Sequence, residues 1–252
     1  MRGKLATARN FTTPLTSQLR QSTPAEIKKN FMTHLSESLP AQENPRLEVL
    51  REDFCDIFDE SKKAEAAELF KKIAKEYQTE NRKYHKFEHI EKMLAFLQTY
   101  EQEIKDNVGV KLATYFHDII YDTKAKDNEE QSAQYAQNFL APFGIPDDTT
   151  KHILSLIHAT IRHEAIAGDT DSAIFLDGDL AILGSSEEEY DKYAAKIRQE
   201  YAWVPEDQYR LGRKKVLEDF LNRPKIYFTE WAGKELEVRA RKNIKRESAK
   251  LS

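Results

Sequence analysis

The chain is short of cysteine, glycine, proline and long apolar runs, and each shortage narrows what it can be. Cys55 is the only cysteine in 252 residues. A single thiol forms neither an internal disulfide nor a thiolate metal cluster, so Cys55 reads as a small buried thiol of a reducing compartment. Glycine and proline number 8 each. So few backbone breakers argue against a many-stranded sheet with tight turns and favour long helices. No apolar run approaches the roughly 20 residues that span a bilayer, so no membrane partner is expected. A net charge of −4 gives no general attraction to a nucleic-acid duplex. The sequence also lacks a P-loop, a dinucleotide fingerprint, a G-x-S-x-G elbow and an H-E-x-x-H zinc motif.

What is present is enough apolar sequence, 40% of residues, for one sizeable helical core. Residues 1–45 read as a flexible arm punctuated by Pro14, Pro24, Pro40 and Pro45, with room for a short helix over 27–39. Its start carries Arg2, Lys4, Arg9 and Arg20 and no acid before Glu26. That composition fits either a mitochondrial leader or the plain arm of a cytoplasmic protein. From residue 46 to 252 no boundary interrupts the pattern, so one domain is expected.

Within that domain apolar residues recur every three or four positions, predicting an all-α bundle. Leu47, Leu50, Phe54, Ile57 and Phe58 form one stripe, and Ala67, Phe70, Ile73, Ala74 and Tyr77 a second. A helix begins near Phe87 with Ile90, Met93, Leu94 and Leu97. Residues 108–121 are apolar on nearly all sides, which predicts a central, buried helix. Further helices are expected over 129–140, from Asp147 or Asp148 to about Ile161, after Ser186, over 206–221 and over 229–248. Ser186 with Glu189 reads as a capping box.

Three segments place polar residues where they are costly. TYFHDIIYD sets His117 and Asp118 in the most apolar helix, and a buried carboxylate needs a cation or a set of donors. KYHKFEHIEKM spaces His85 and His89 one helical turn apart, which suits one metal ion or a ligand with a supporting histidine. IFLDGDLAILG puts Asp177 and Asp179 at the front of an apolar segment, one read as a ligand and the other as a cap or loop residue.

The order His, His-Asp, Asp, carried by RKYHKFEHI, YFHDIIYD, DNEEQSA, IHATIRH, FLDGDLAILG, IRQEY and GRKKVLEDFL, resembles the HD-domain superfamily of predicted metal-dependent phosphohydrolases. The motifs cover residues 85–184, and the likeness extends over much of 45–252. The resemblance implies an all-α fold with a divalent ion held by two histidines and two aspartates. Carried onto this sequence, the ligands are His89, preferred over His85, then His117, Asp118, and Asp177 or Asp179. Asp177 is favoured because Phe175 and Leu176 lead into it. The implied cofactor is Mn, Mg, Fe, Co, Ni or Zn, and an imidazole–carboxylate set with open positions suits hydrolytic chemistry.

Asp118 or Asp122 is then expected to handle the proton of the attacking water or the leaving oxygen. Arg82, Lys86, Arg162, Arg198, Arg213 and His163 are candidates for contact with phosphate. Glu129 is a candidate for a second ion, or an ordinary first-turn carboxylate. The implied partner is a small phosphorylated substrate, with a nucleotide as one option, and the resemblance admits a homodimer. Two other readings stand beside the enzyme: a non-catalytic metal- or nucleotide-binding module, and a helical interaction protein.

Overall fold

In the computed structural model of the chain, residues 45–251 are described. The expected arm and its helix over 27–39 lie outside them. The fold is all-α, and the described residues contain no strand. Among the described residues eleven α-helices follow one another: α1 Pro45–Cys55, α2 Lys63–Tyr77, α3 Phe87–Gln98, α4 Asn107–Phe116, α5 Asn128–Leu140, α6 Asp147–Ala159, α7 Thr170–Leu180, α8 Glu187–Glu200, α9 Glu206–Leu221, α10 Glu230–Glu235 and α11 Glu237–Lys250. Among the described residues, no helix is long and apolar enough to cross a membrane.

α4 is the hub. It packs against α3, α5, α6 and α7. Val110, Leu112, Ala113, Tyr115 and Phe116 are fully buried, as its all-round apolar sequence requires. Asp106 caps its start by accepting from the Gly109 amide at 2.8 Å. α7 lies against α3 and α4, and its own cap, Asp169, accepts from the Asp171 amide. The parallel roles of Asp106 and Asp169 set the two helices that carry most of the site.

The sequence expectation put His117 and Asp118 inside a helix running to residue 121. The helix instead stops at Phe116, with His117 as its C-cap. Arg82 explains the stop. Its guanidinium is 2% exposed and donates to the carbonyls of Asp118 at 2.6 Å and Ile119 at 2.7 Å. Carbonyls freed at a helix end need such partners. The chain therefore turns at this point while the polar pair stays buried beside it.

Two further boundaries differ. Asp177 and Asp179 sit late in α7, not at its front, because Asp169 takes the cap position. The last predicted helix divides at Leu236, where the Gly184 backbone packs so close that a Cβ on Gly184 would stand 2.6 Å from the Leu236 Cβ. Ser186 does cap α8 through the Glu189 amide, but the Glu189 carboxylate turns to Lys92 and Lys192, so only half of the capping box forms.

Candidate metal centre

Three side chains, His89, His117 and Asp179, converge beneath the end of α4, and Asp118 stands at the edge of the group. His89 comes from the first turn of α3, His117 and Asp118 from the turn that ends α4, and Asp179 from the last turn of α7. His89 Nε2 stands 3.2 Å from His117 Nε2 and 3.2 Å from Asp179 Oδ1. His117 Nε2 stands 3.1 Å from Asp118 Oδ2 and 3.9 Å from Asp179 Oδ1, and His89 Nε2 is 4.0 Å from Asp118 Oδ2. Ligand bonds of about 2.0–2.2 Å place neighbouring ligand atoms roughly 3–3.5 Å apart, close to this spacing.

The outward nitrogens of both rings are engaged. His117 Nδ1 lies 3.0 Å from the Thr114 carbonyl, which can only accept, so this nitrogen carries the proton. His89 Nδ1 lies 3.3 Å from the Tyr84 hydroxyl. With the outer nitrogens so used, two Nε2 lone pairs and the Asp179 carboxylate face one point, with the Asp118 carboxylate beside His117. Such a set is repulsive unless a cation lies among them.

The proton affinities carry the same signature. Burial pushes the His117 imidazole down, but the Asp118 carboxylate overrides it and raises the group to about 9. Burial opposes the ionised forms of Asp118 and Asp179 too, yet the surrounding imidazoles hold both well below the usual carboxylate range. At His89 burial wins, and the ring is driven toward its neutral form. A proton on His117 thus occupies the role that a metal ion would take.

Asp177 and Asp179 resolve by helix geometry. Residues two apart on a helix point about 200° apart, so they cannot share a face. Asp179 faces the histidines. Asp177 faces away and accepts from the amides of Phe228 and Thr229, both at 2.8 Å, anchoring the entry to α10. Burial raises its carboxyl to about 6. The lean toward Asp177 as the ligand is therefore reversed.

His85 belongs to the rim and not to the cluster. It precedes α3, whose N-cap is Lys86, so His85 and His89 do not share a helical face. Its Nδ1 bonds the buried Glu200 carboxylate at 2.8 Å, and its ring lies on Tyr121 with centroids 4.2 Å apart. Glu200 also accepts from the amides of Lys83, Tyr84 and His85 and from the Tyr121 hydroxyl. Burial works against its charge, but these donors and His85 lower its carboxyl to about 2. Glu200 was not singled out from sequence. IRQEY, which contains it, was the available signal.

The remaining candidates separate. His163 reaches the centre, with Nε2 3.1 Å from Asp179 Oδ2. Arg162 is exposed beside it. Lys86 is half-buried at the start of α3. Asp122 is exposed and accepts from the Lys124 amide in its own turn, so it does not join the cluster. Arg82 is spent on carbonyls and is not free for phosphate. Arg198 is spent on Glu206 and the carbonyls of Tyr201 and Val204, and Arg213 on Glu247 and Tyr193. Glu129 lies in the first turn of α5.

A second cluster lies at the opposite ends of α4 and α7. His152 on α6 bridges Asp106 at 3.1 Å and Asp169 at 3.2 Å, and both oxygens of the nearby Asp171 accept the amides of Lys105 and Asp106. Its carboxylates are used as caps and anchors, which gives it a structural role. No protein-family model matches the chain, and neither the curated proteins nor the solved structures contain a match.

Proposed function

We propose that the protein is a metal-dependent phosphohydrolase acting on a phosphate ester or anhydride, with nucleotides among the candidate substrates. The observation that carries this reading is the convergence of His89 Nε2, His117 Nε2 and Asp179 Oδ1, with Asp118 Oδ2 against His117 at its edge. A mixed imidazole–carboxylate set suits a divalent ion with open positions. When bound, such an ion polarises a phosphoryl oxygen and acidifies a water. The HD-type order of these residues along the chain agrees with this reading.

The protein's own groups then divide the remaining work. His117 and His89 present Nε2 because their outer nitrogens are held by Thr114 and Tyr84. His85 is the proton donor for the leaving oxygen. Burial lowers its proton affinity, but Asp118 and Glu200 more than compensate and raise it, which favours the charged ring. Glu200 fixes that ring through Nδ1, so Nε2 is the nitrogen left to give the proton. Arg162 and Lys86 are the groups left for phosphate oxygens, since His163 is engaged with Asp179.

The spent state of Arg82, Arg198 and Arg213 favours a second reading, a binding module that keeps the ion without turnover. Purified protein assayed against nucleotides and simple phosphate esters, with Mn, Co or Mg added, separates the two. Turnover that disappears in H117A and D118A supports the enzyme. In H85Q we expect kcat to fall by about 10²-fold or more and the alkaline limb of the pH profile to vanish. Metal binding without turnover on any ester would leave the module.

A further inference from the structure

His163 holds a backbone conformation that its side chain disfavours. Its φ is +49°, and it is the only non-glycine with positive φ among the described residues. A left-handed residue with a Cβ persists only where its surroundings hold it. Those surroundings come from the end of α9. The Arg223 guanidinium donates to the His163 carbonyl at 2.8 Å and to the Arg162 carbonyl at 2.7 Å. It also lies over the Phe220 ring, 4.5 Å from the centroid, and the His163 ring meets the same Phe220 edge-on at 5.9 Å. Backbone and imidazole of His163 are thus gripped from one helix end.

The imidazole so aimed meets Asp179. Its Nε2 takes Oδ2 at 3.1 Å, while Oδ1 of the same carboxylate stands 3.2 Å from His89 Nε2. Two contacts on two oxygens fix the carboxylate plane. Without His163, Asp179 is free to rotate about its terminal bond and to turn Oδ1 away.

We propose that Arg223 and His163 are positioning residues that orient Asp179 for metal binding, so that the end of α9 tunes the affinity of a centre it does not touch. The proposal rests on the metal-centre reading. Partners that orient a ligand, without being ligands, typically change metal affinity roughly 10- to 100-fold when removed.

Calorimetric titration of the full chain with MnCl2, beside metal-free melting curves, tests it with H163G, R223M and D179N. Glycine adopts the left-handed region freely, so H163G should melt at or above the wild-type temperature. It should nevertheless bind Mn roughly tenfold more weakly. A merely structural histidine would not separate the two readouts in this way. R223M should weaken Mn binding comparably, and D179N should abolish it. Wild-type affinity in H163G or R223M would overturn the proposal alone. Complete loss in H163G, equal to D179N, would overturn it by making His163 a ligand. No Mn binding by the wild type would sink the metal reading and this proposal together.

Discussion

Two residues show how environment, more than residue type, sets a role here. Asp177 and Asp179 share a helix, yet one anchors a loop and the other faces two histidines. The sequence brought both forward and favoured Asp177, whereas the choice depends on which side of α7 meets α3 and falls to Asp179. The consequence is testable in acid. The folded Asp177 carboxyl, raised to about 6 from 3.8, holds its proton more tightly than the unfolded chain does. Wild-type stability from this group is therefore lost as pH rises from about 4 to 6. D177N should gain on the wild type across that window by up to about 3 kcal/mol, read from urea melts at several pH values. Glu200 has the opposite sign. Its carboxyl, lowered to about 2 from 4.5, contributes stability above pH 4.5 that disappears as pH falls toward 2. E200Q should cost about 3 kcal/mol at pH 7, with the two curves converging in strong acid.

At the scale of elements, the helical framework was largely legible and the ends of helices were not. The all-apolar run that became α4 announced a central helix through composition alone. Its end depended on Arg82, which is 36 and 37 residues away in sequence from the carbonyls it caps. No local pattern reports such a partner. The same residue looked like a phosphate ligand from its position beside a motif, and three-dimensional packing gave it a backbone role instead. R82M should therefore cost about 2–4 kcal/mol, since buried carbonyls lose charged donors. R82K should recover little, because a single ammonium cannot span the two carbonyls as the fork does. Thermal melts of both variants would check this. Arg223 escaped notice for the same reason, since its partners lie 60 residues back.

On the scale of the whole molecule, α4 and α7 run side by side with caps at one end and the polar cluster at the other. His152 joins the capped ends, and His89 on α3 faces the cluster at the other. A cation bound at the cluster would tie α3, α4 and α7 together in the folded state alone. Such binding stabilises by mass action, about 2.7 kcal/mol at a hundredfold excess over Kd. Mn should raise the melting temperature accordingly, and the rise should shrink as pH falls below about 9 and protons compete for His117. His117 and Asp118 could be named from sequence because buried charge in an apolar setting is costly enough to stand out, and His89 followed from the family resemblance. Their common focus required the fold. The most direct test is anomalous diffraction from crystals soaked in Mn. The expected result is one strong peak within about 2.3 Å of His89 Nε2, His117 Nε2 and Asp179 Oδ1, beside Asp118. No peak there, or one only at His152 and Asp169, would contradict it.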